Sequence, residues 1–173
     1  MKPSTYSIRK SFLLPLGLVV LLSFVLLASA LFLQLPLAKV IILGAFLVPV
    51  CLVFAESSWR KVSLNEDAVQ VKKLFREKRL NYADLTAIDT IQVRKRAFIS
   101  LSSENDFMIL SNSYDQFGVL LQQLVAKVPQ SVVSAETKSL VDNPPKKCSD
   151  VFSAWLAVAV LSLLIYVQLR GAF

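Results

Sequence analysis

Two carboxylate pairs are the first places in this sequence where chemistry could reside. Asp84 and Asp89 are five positions apart, and Glu104 and Asp106 are two apart. A carboxylate pair can divide general acid and general base work when the surroundings push the two pKa values apart. Neither pair has a histidine, a cysteine or a further carboxylate at metal-ligand spacing. The run Ser103-Glu104-Asn105-Asp106 consists of turn formers, so a turn explains its acids more simply. The chain contains no histidine. That removes His-based triads, His metal ligands and His proton shuttles together. Ser111, Ser113 and Tyr114 offer hydroxyls with no base beside them, and the four glycines, Gly17, Gly44, Gly118 and Gly171, form no phosphate-cradling loop. Cys51 sits inside an apolar run and Cys148 just before another, which reads as buried or inert thiols and not as a disulfide scaffold. The expectation is a chain with no catalytic residue, no cofactor and no metal site.

The basic residues are grouped more suggestively. Lys72, Lys73, Arg76, Lys78 and Arg79 form the densest cluster, interrupted by Glu77, and Arg94, Lys95 and Arg96 form a second. Such clusters are either solvated faces or contact points for a protein partner or for anionic lipid, where each basic group near the surface contributes about 1 kcal/mol. No stacking platform or nucleic-acid motif accompanies them, so nucleic acid is not an expected partner.

The elements that must position these groups are set by hydropathy. Of the 173 residues, 55% are apolar and 18% charged, against roughly 45–50% and about 25% in soluble domains. Ser11–Leu33, Val40–Ala55 and Val151–Leu169 carry no charge, and all twelve acidic residues lie between Glu56 and Asp150. Three spans are expected, at 12–33, 37–55 and 151–169. The first has 22 residues, about 33 Å as a helix, enough for a hydrocarbon core of about 30 Å and too long for a signal-peptide core. Gln34 to Lys39 is short enough to make spans one and two an antiparallel hairpin. Lys39 can snorkel, and Trp155 and Tyr166 lie near opposite ends of span three. The span centres have no ionisable residue, which argues against a self-contained pump or carrier.

The net charge of +7 is concentrated beside the spans: 56–150 has fourteen basic against twelve acidic residues, a net +2. Lys2, Arg9, Lys10, Arg60, Lys61, Lys146 and Lys147 flank one side of the spans, and Lys39 and Arg170 the other. The positive-inside bias then places the N-terminus and the middle domain in the cytoplasm and the C-terminus outside.

Between the spans, period-two alternation marks strands at Val62–Leu64, Ala68–Lys73, Arg79–Tyr82, Thr90–Arg94, Ala97–Ser102 and Phe107–Leu110. Val69, Val71, Leu80 and Tyr82 face inward, and Phe107 and Phe117 are expected in the core. Leu85 and Ile88, three apart, fit either one helical turn or a loop tucked on the core. Ser113 and Gln116 have capping-box spacing, and Phe117, Leu120, Leu121, Leu124 and Val125 trace one helix face ended by Pro129. The stretch 131–150, with Pro144-Pro145, reads as a linker. The domain itself is expected at 57–130, after an N-terminal segment and hairpin over 1–56.

Val62-Ser63-Leu64-Asn65-Glu66-Asp67-Ala68-Val69, Arg79-Leu80-Asn81-Tyr82-Ala83-Asp84-Leu85-Thr86-Ala87-Ile88 and the helix Ser113–Val125 resemble the pleckstrin-homology-like domains of small bacterial membrane proteins. The resemblance covers about 70 residues of the chain. It implies a membrane α-helical part joined to a small α+β domain, in which a strongly bent antiparallel sheet is capped by one C-terminal helix. It also implies the bacterial inner membrane.

The functional expectation is a non-catalytic, membrane-anchored scaffold or accessory subunit that docks a protein partner or anionic lipid. Contact is expected through Lys72, Lys73, Arg76, Lys78, Arg79, Arg94, Lys95 and Arg96. A small transport or channel subunit is the alternative. An interfacial enzyme subunit using Asp84, Asp89 or Tyr82 is a more remote one.

Overall fold

The computed structural model describes residues 4–145 and 149–171. The chain divides into two compact units: Met1–Arg9 with Trp59–Lys147, and Lys10–Ser58 with Cys148–Phe173.

The second unit is helical. The three apolar stretches form α1 (Lys10–Phe32), α2 (Leu37–Trp59) and, after the middle of the chain, α5 (Ser149–Arg170). Each is long and apolar enough to cross a membrane, so this is a multi-pass membrane protein. Pro15 falls in the second turn of α1 and Pro49 in the middle of α2. Helix α5 packs along α1, and Gln168 Nε2 donates to Ser29 Oγ across that contact at 2.9 Å. Ser23 and Ser162 bond back to the carbonyls four residues earlier, Val19 and Val158, which satisfies their hydroxyls inside apolar helices. At Gly17, an added Cβ would meet the Phe54 ring at 3.3 Å, so the glycine admits close approach of α2.

The first unit begins where sequence periodicity showed nothing. Residues Ser4–Ser7, ahead of α1, form strand β1, which pairs antiparallel with β2 (Lys61–Leu64) in the register Tyr6↔Val62. In the chain, β1 leads into α1 and β2 follows α2. Strands β3 (Ala68–Lys72) and β4 (Glu77–Asn81) complete a four-stranded meander, β1-β2-β3-β4. A single 3-10 turn at Tyr82–Asp84 leads to β5 (Leu85–Val93), β6 (Arg96–Ser103) and β7 (Phe107–Ser111), a separate three-stranded antiparallel sheet. This corrects the expectation of one strongly bent sheet: among the described residues, seven strands are divided four and three between two sheets that are not strongly curled. Nor is one C-terminal helix the whole cap, because α3 (Phe117–Ala126) is followed by α4 (Ala135–Asp142).

The core follows the alternation. Val62, Val69, Ile88, Ala97, Ile99, Leu101 and Leu110 are fully buried or nearly so, together with Leu120, Leu121 and Leu124 from α3. Leu85 and Ile88 are both inward despite their spacing of three, because a β-bulge between Leu85 and Ala87 inserts one residue and shifts the phase of β5. The same shift turns Ile91 and Val93 outward. Ser113 does not cap α3. The helix starts one turn later, with Gln116 at the N-cap in the left-handed region (φ 48°) and no side-chain cap bond.

Most of the described part of the stretch read as a linker is structured. Ser134 caps α4 through its side chain, which accepts from the Thr137 N–H. The Ser134 N–H and the Thr137 hydroxyl both donate to the Ile88 carbonyl, at 3.0 and 3.1 Å. These bonds satisfy the outer edge of β5 where Val133 bridges Ile88.

Candidate docking surface

The turn from β3 to β4 is closed by the Lys73 N–H donating to the Arg76 carbonyl at 2.7 Å. It lifts Lys73, Phe75 and Arg76 clear of the sheet, and Phe75 is 85% exposed. Facing it is β7, the edge of the other sheet. Val71, Lys73, Phe75, Arg76, Glu77 and Lys78 from one side and Phe107, Met108 and Ile109 from the other line a groove of about 640 Å³. Three cations and one carboxylate border it, among exposed apolar side chains.

Lys78 is the bridge at the end of the groove nearest the β6–β7 turn. Its ammonium donates to the Phe107 carbonyl, pairs with Asp106 and lies 5.1 Å from the Phe107 ring centre. The Asp106 carboxyl is held below the usual carboxylate range, first by its hydrogen bond to Lys78 and then by the Phe107 N–H. Glu77 is engaged with Lys72 (3.8 Å) and with the Gln70 amide. Exposed pairs of this kind contribute little stability; their effect is to fix where charge stands.

Of the eight basic residues singled out from sequence, the fold gathers Lys73, Arg76 and Lys78 on one groove. Lys72 stands at the end of β3, on its ion pair, and Arg79 is exposed on β4 outside the groove lining. Arg94 and Lys95 occupy the β5–β6 turn and Arg96 begins β6, outside this groove, all exposed. Arg94 adopts φ 56°, a left-handed conformation that costs a non-glycine residue about 1 kcal/mol. Buried Asn112 ties this turn down, its side-chain amide donating to the Lys95 and Pro145 carbonyls at 2.8 and 3.1 Å.

Phe107 is not in the core, as the sequence suggested; it is 59% exposed on the groove, whereas Phe117 is buried. Strand β7 is apolar on both faces from Phe107 to Leu110, so its period could not reveal which face is inward. Phe75 and Ile109 were missed as surface features for the same kind of reason: an apolar residue carries no label of exposure.

Of the remote catalytic candidates, Asp84 and Tyr82 serve as turn and core groups, and Asp89 stands exposed on β5. Asp84 accepts from the Asn81 amide at 2.9 Å within the 3-10 turn. The Tyr82 hydroxyl donates to the Asn65 carbonyl at 3.3 Å, and burial pushes its pKa up to about 12. Among the described residues, no group of three or more His, Cys, Asp or Glu is placed to hold a metal ion. Compared with protein-family models, curated proteins and solved structures, the chain matches none.

Proposed function

We propose that this chain is a membrane-anchored scaffold or accessory subunit without catalysis of its own, whose extramembrane unit docks a protein partner at the bilayer surface. The observation that carries this reading is the groove between the β3–β4 turn and β7. Exposed Phe75, Phe107 and Ile109 are interleaved there with Lys73, Arg76 and Lys78. An apolar centre with a charged rim is the composition of a protein-binding patch. The excess of basic flanks on one side of the spans supports a cytoplasmic location for this unit in a bacterial inner membrane.

A second contact, with anionic lipid, is favoured by a different observation. Exposed Ile91 and Val93 adjoin Arg94, Lys95 and Arg96 at the β5–β6 turn, a combination that suits a headgroup region.

The deciding experiment places a photo-crosslinking side chain at Phe75 in the full chain in its native membrane. One dominant protein adduct, identified by mass spectrometry and absent when the crosslinker is at exposed Glu136, is the expected result. Lipid adducts alone at Phe75 would refute partner docking through this groove.

A further inference from the structure

Two sheets have four outer edges, and an unpaired edge is a template for another strand. Two of the four are satisfied locally. Beyond β1, the Arg9 N–H donates to the Ser113 carbonyl, the Asp115 N–H donates to the Ser7 carbonyl, and Ile8 bridges Tyr114. The β5 edge is met by Val133, Ser134 and Thr137 at Ile88. The other two edges, β4 and β7, border the groove, and among the described residues no strand pairs with the outer side of either.

The direction of their backbone groups follows from the hairpins. In β6–β7 the Ser103 N–H donates to the Asp106 carbonyl and the Asn112 N–H donates to the Ala97 carbonyl. Antiparallel pairs alternate between hydrogen-bonded and non-hydrogen-bonded sites. Phe107, Ile109 and Ser111, opposite Ser102, Ser100 and Phe98, therefore occupy the non-hydrogen-bonded sites, and their N–H and C=O groups turn out of the ladder. Phe107 is already served, its carbonyl by Lys78 and its N–H by the Asp106 side chain. In β3–β4, the Lys73-to-Arg76 and Tyr82-to-Asp67 bonds likewise turn the backbones of Glu77, Arg79 and Asn81 outward.

We infer that the groove takes an extended, acidic peptide segment of a partner protein, which adds as a strand to the β7 edge at Ile109 and Ser111. This rests on the docking reading above and names the chemistry of the partner. Charge complementarity selects an acidic segment: Lys73 and Arg76 line the groove beside Lys78, which is held by Asp106 and the Phe107 carbonyl, while its one lining carboxylate, Glu77, is engaged with Lys72 and Gln70. Basic side chains on an open edge repel most strands and so guard it against self-pairing; an acidic strand converts the guard into attraction. Alternate apolar side chains of the segment would lie against Phe75, Phe107 and Ile109, as in other strand-addition complexes. A lipid headgroup could answer the charge, but it has no row of backbone donors and acceptors to match the edge.

The test uses the full chain in phosphatidylcholine nanodiscs and an eight-residue synthetic peptide alternating glutamate and valine. Saturable binding with slowed amide exchange at Ile109 and Ser111 is expected. Binding should weaken about tenfold or more when Lys73→Glu and Arg76→Glu are combined. A similar loss is expected for Ile109→Pro, which removes an outward N–H and leaves the β6–β7 ladder intact. Three results would overturn the proposal: no saturable binding, equal binding of a lysine–valine peptide, or equal binding of the glutamate–valine peptide N-methylated at alternate amides. Slowed exchange of the same amides in phosphatidylglycerol nanodiscs without peptide would assign the groove to lipid and would overturn it too. If the Phe75 crosslink to a protein partner persists in the Lys73→Glu/Arg76→Glu and Ile109→Pro variants, strand addition fails while docking stands.

Discussion

Strand β1 puts a residue from ahead of the first span into the packing of the strand-containing unit, and Tyr6 is the place to test it. Tyr6 is 8% exposed, lies opposite Val62 in the sheet, and donates its hydroxyl to Gln123 Oε1 on α3 at 2.9 Å. Tyr6→Phe removes one part-buried hydrogen bond, a net loss of about 1 kcal/mol. That raises the equilibrium for local opening about fivefold. Tyr6→Ala removes the ring as well. By analogy with buried aromatic truncations it costs about 3 kcal/mol, more than a hundredfold in the same equilibrium. Hydrogen exchange of the full chain in nanodiscs reads both changes. The amides of Val62–Leu64 and of α3 around Gln123 should exchange faster in the order wild type, Tyr6→Phe, Tyr6→Ala, while those of β6, in the other sheet, change least. Unchanged protection of β2 and α3 in Tyr6→Ala would refute the docking of the N-terminal strand. An equal effect of Tyr6→Phe and Tyr6→Ala would instead refute the division between ring burial and hydrogen bond.

Thr137 is fully buried, and its hydroxyl joins the Ile88 carbonyl, Thr90 and Ser134; Thr137→Val should cost about 1–3 kcal/mol and release α4, seen as faster proteolysis between 129 and 145. Tyr82 has a phenol pKa raised to about 12 by burial, against 10 for the free group. The folded state favours the neutral phenol, so this contribution to stability is complete below pH 10 and is lost as pH rises from 10 towards 12. Chemical denaturation should show that loss, and Tyr82→Phe should abolish it. Asp106 is shifted the other way by Lys78, so the Lys78 contact should persist above the ordinary carboxylate range and release as pH falls through the lowered value; a titration of the Lys78 side-chain resonance checks this, and Asp106→Asn should flatten it. Gln168→Leu removes the interhelical bond to Ser29, and should weaken α1–α5 association by about 0.6 kcal/mol, measurable by steric trapping in bicelles.

The membrane character was legible in the residues alone. Long uncharged runs with basic flanks need no tertiary information, because the bilayer sets the required length and excludes charge one helix at a time. The alternation around Val69, Val71, Leu80 and Tyr82, and the helical stripe from Phe117 to Leu124, were legible for a related reason: each has one wet face, so its period is written in polarity. Other features arise only from contacts between distant parts of the chain. Ser4–Ser7 is too short and too polar to announce a strand, and it becomes one only because β2 offers it an edge. The bulge after Leu85 disguised a strand as a helical spacing and turned Ile91 and Val93 outward. Ser134 and Thr137 acquire their structural role from the Ile88 carbonyl, about fifty residues earlier in the chain. The groove depends most on the fold: two strand edges far apart in sequence come to face each other, and only that approach joins Lys73, Arg76 and Lys78 to Phe107 and Ile109.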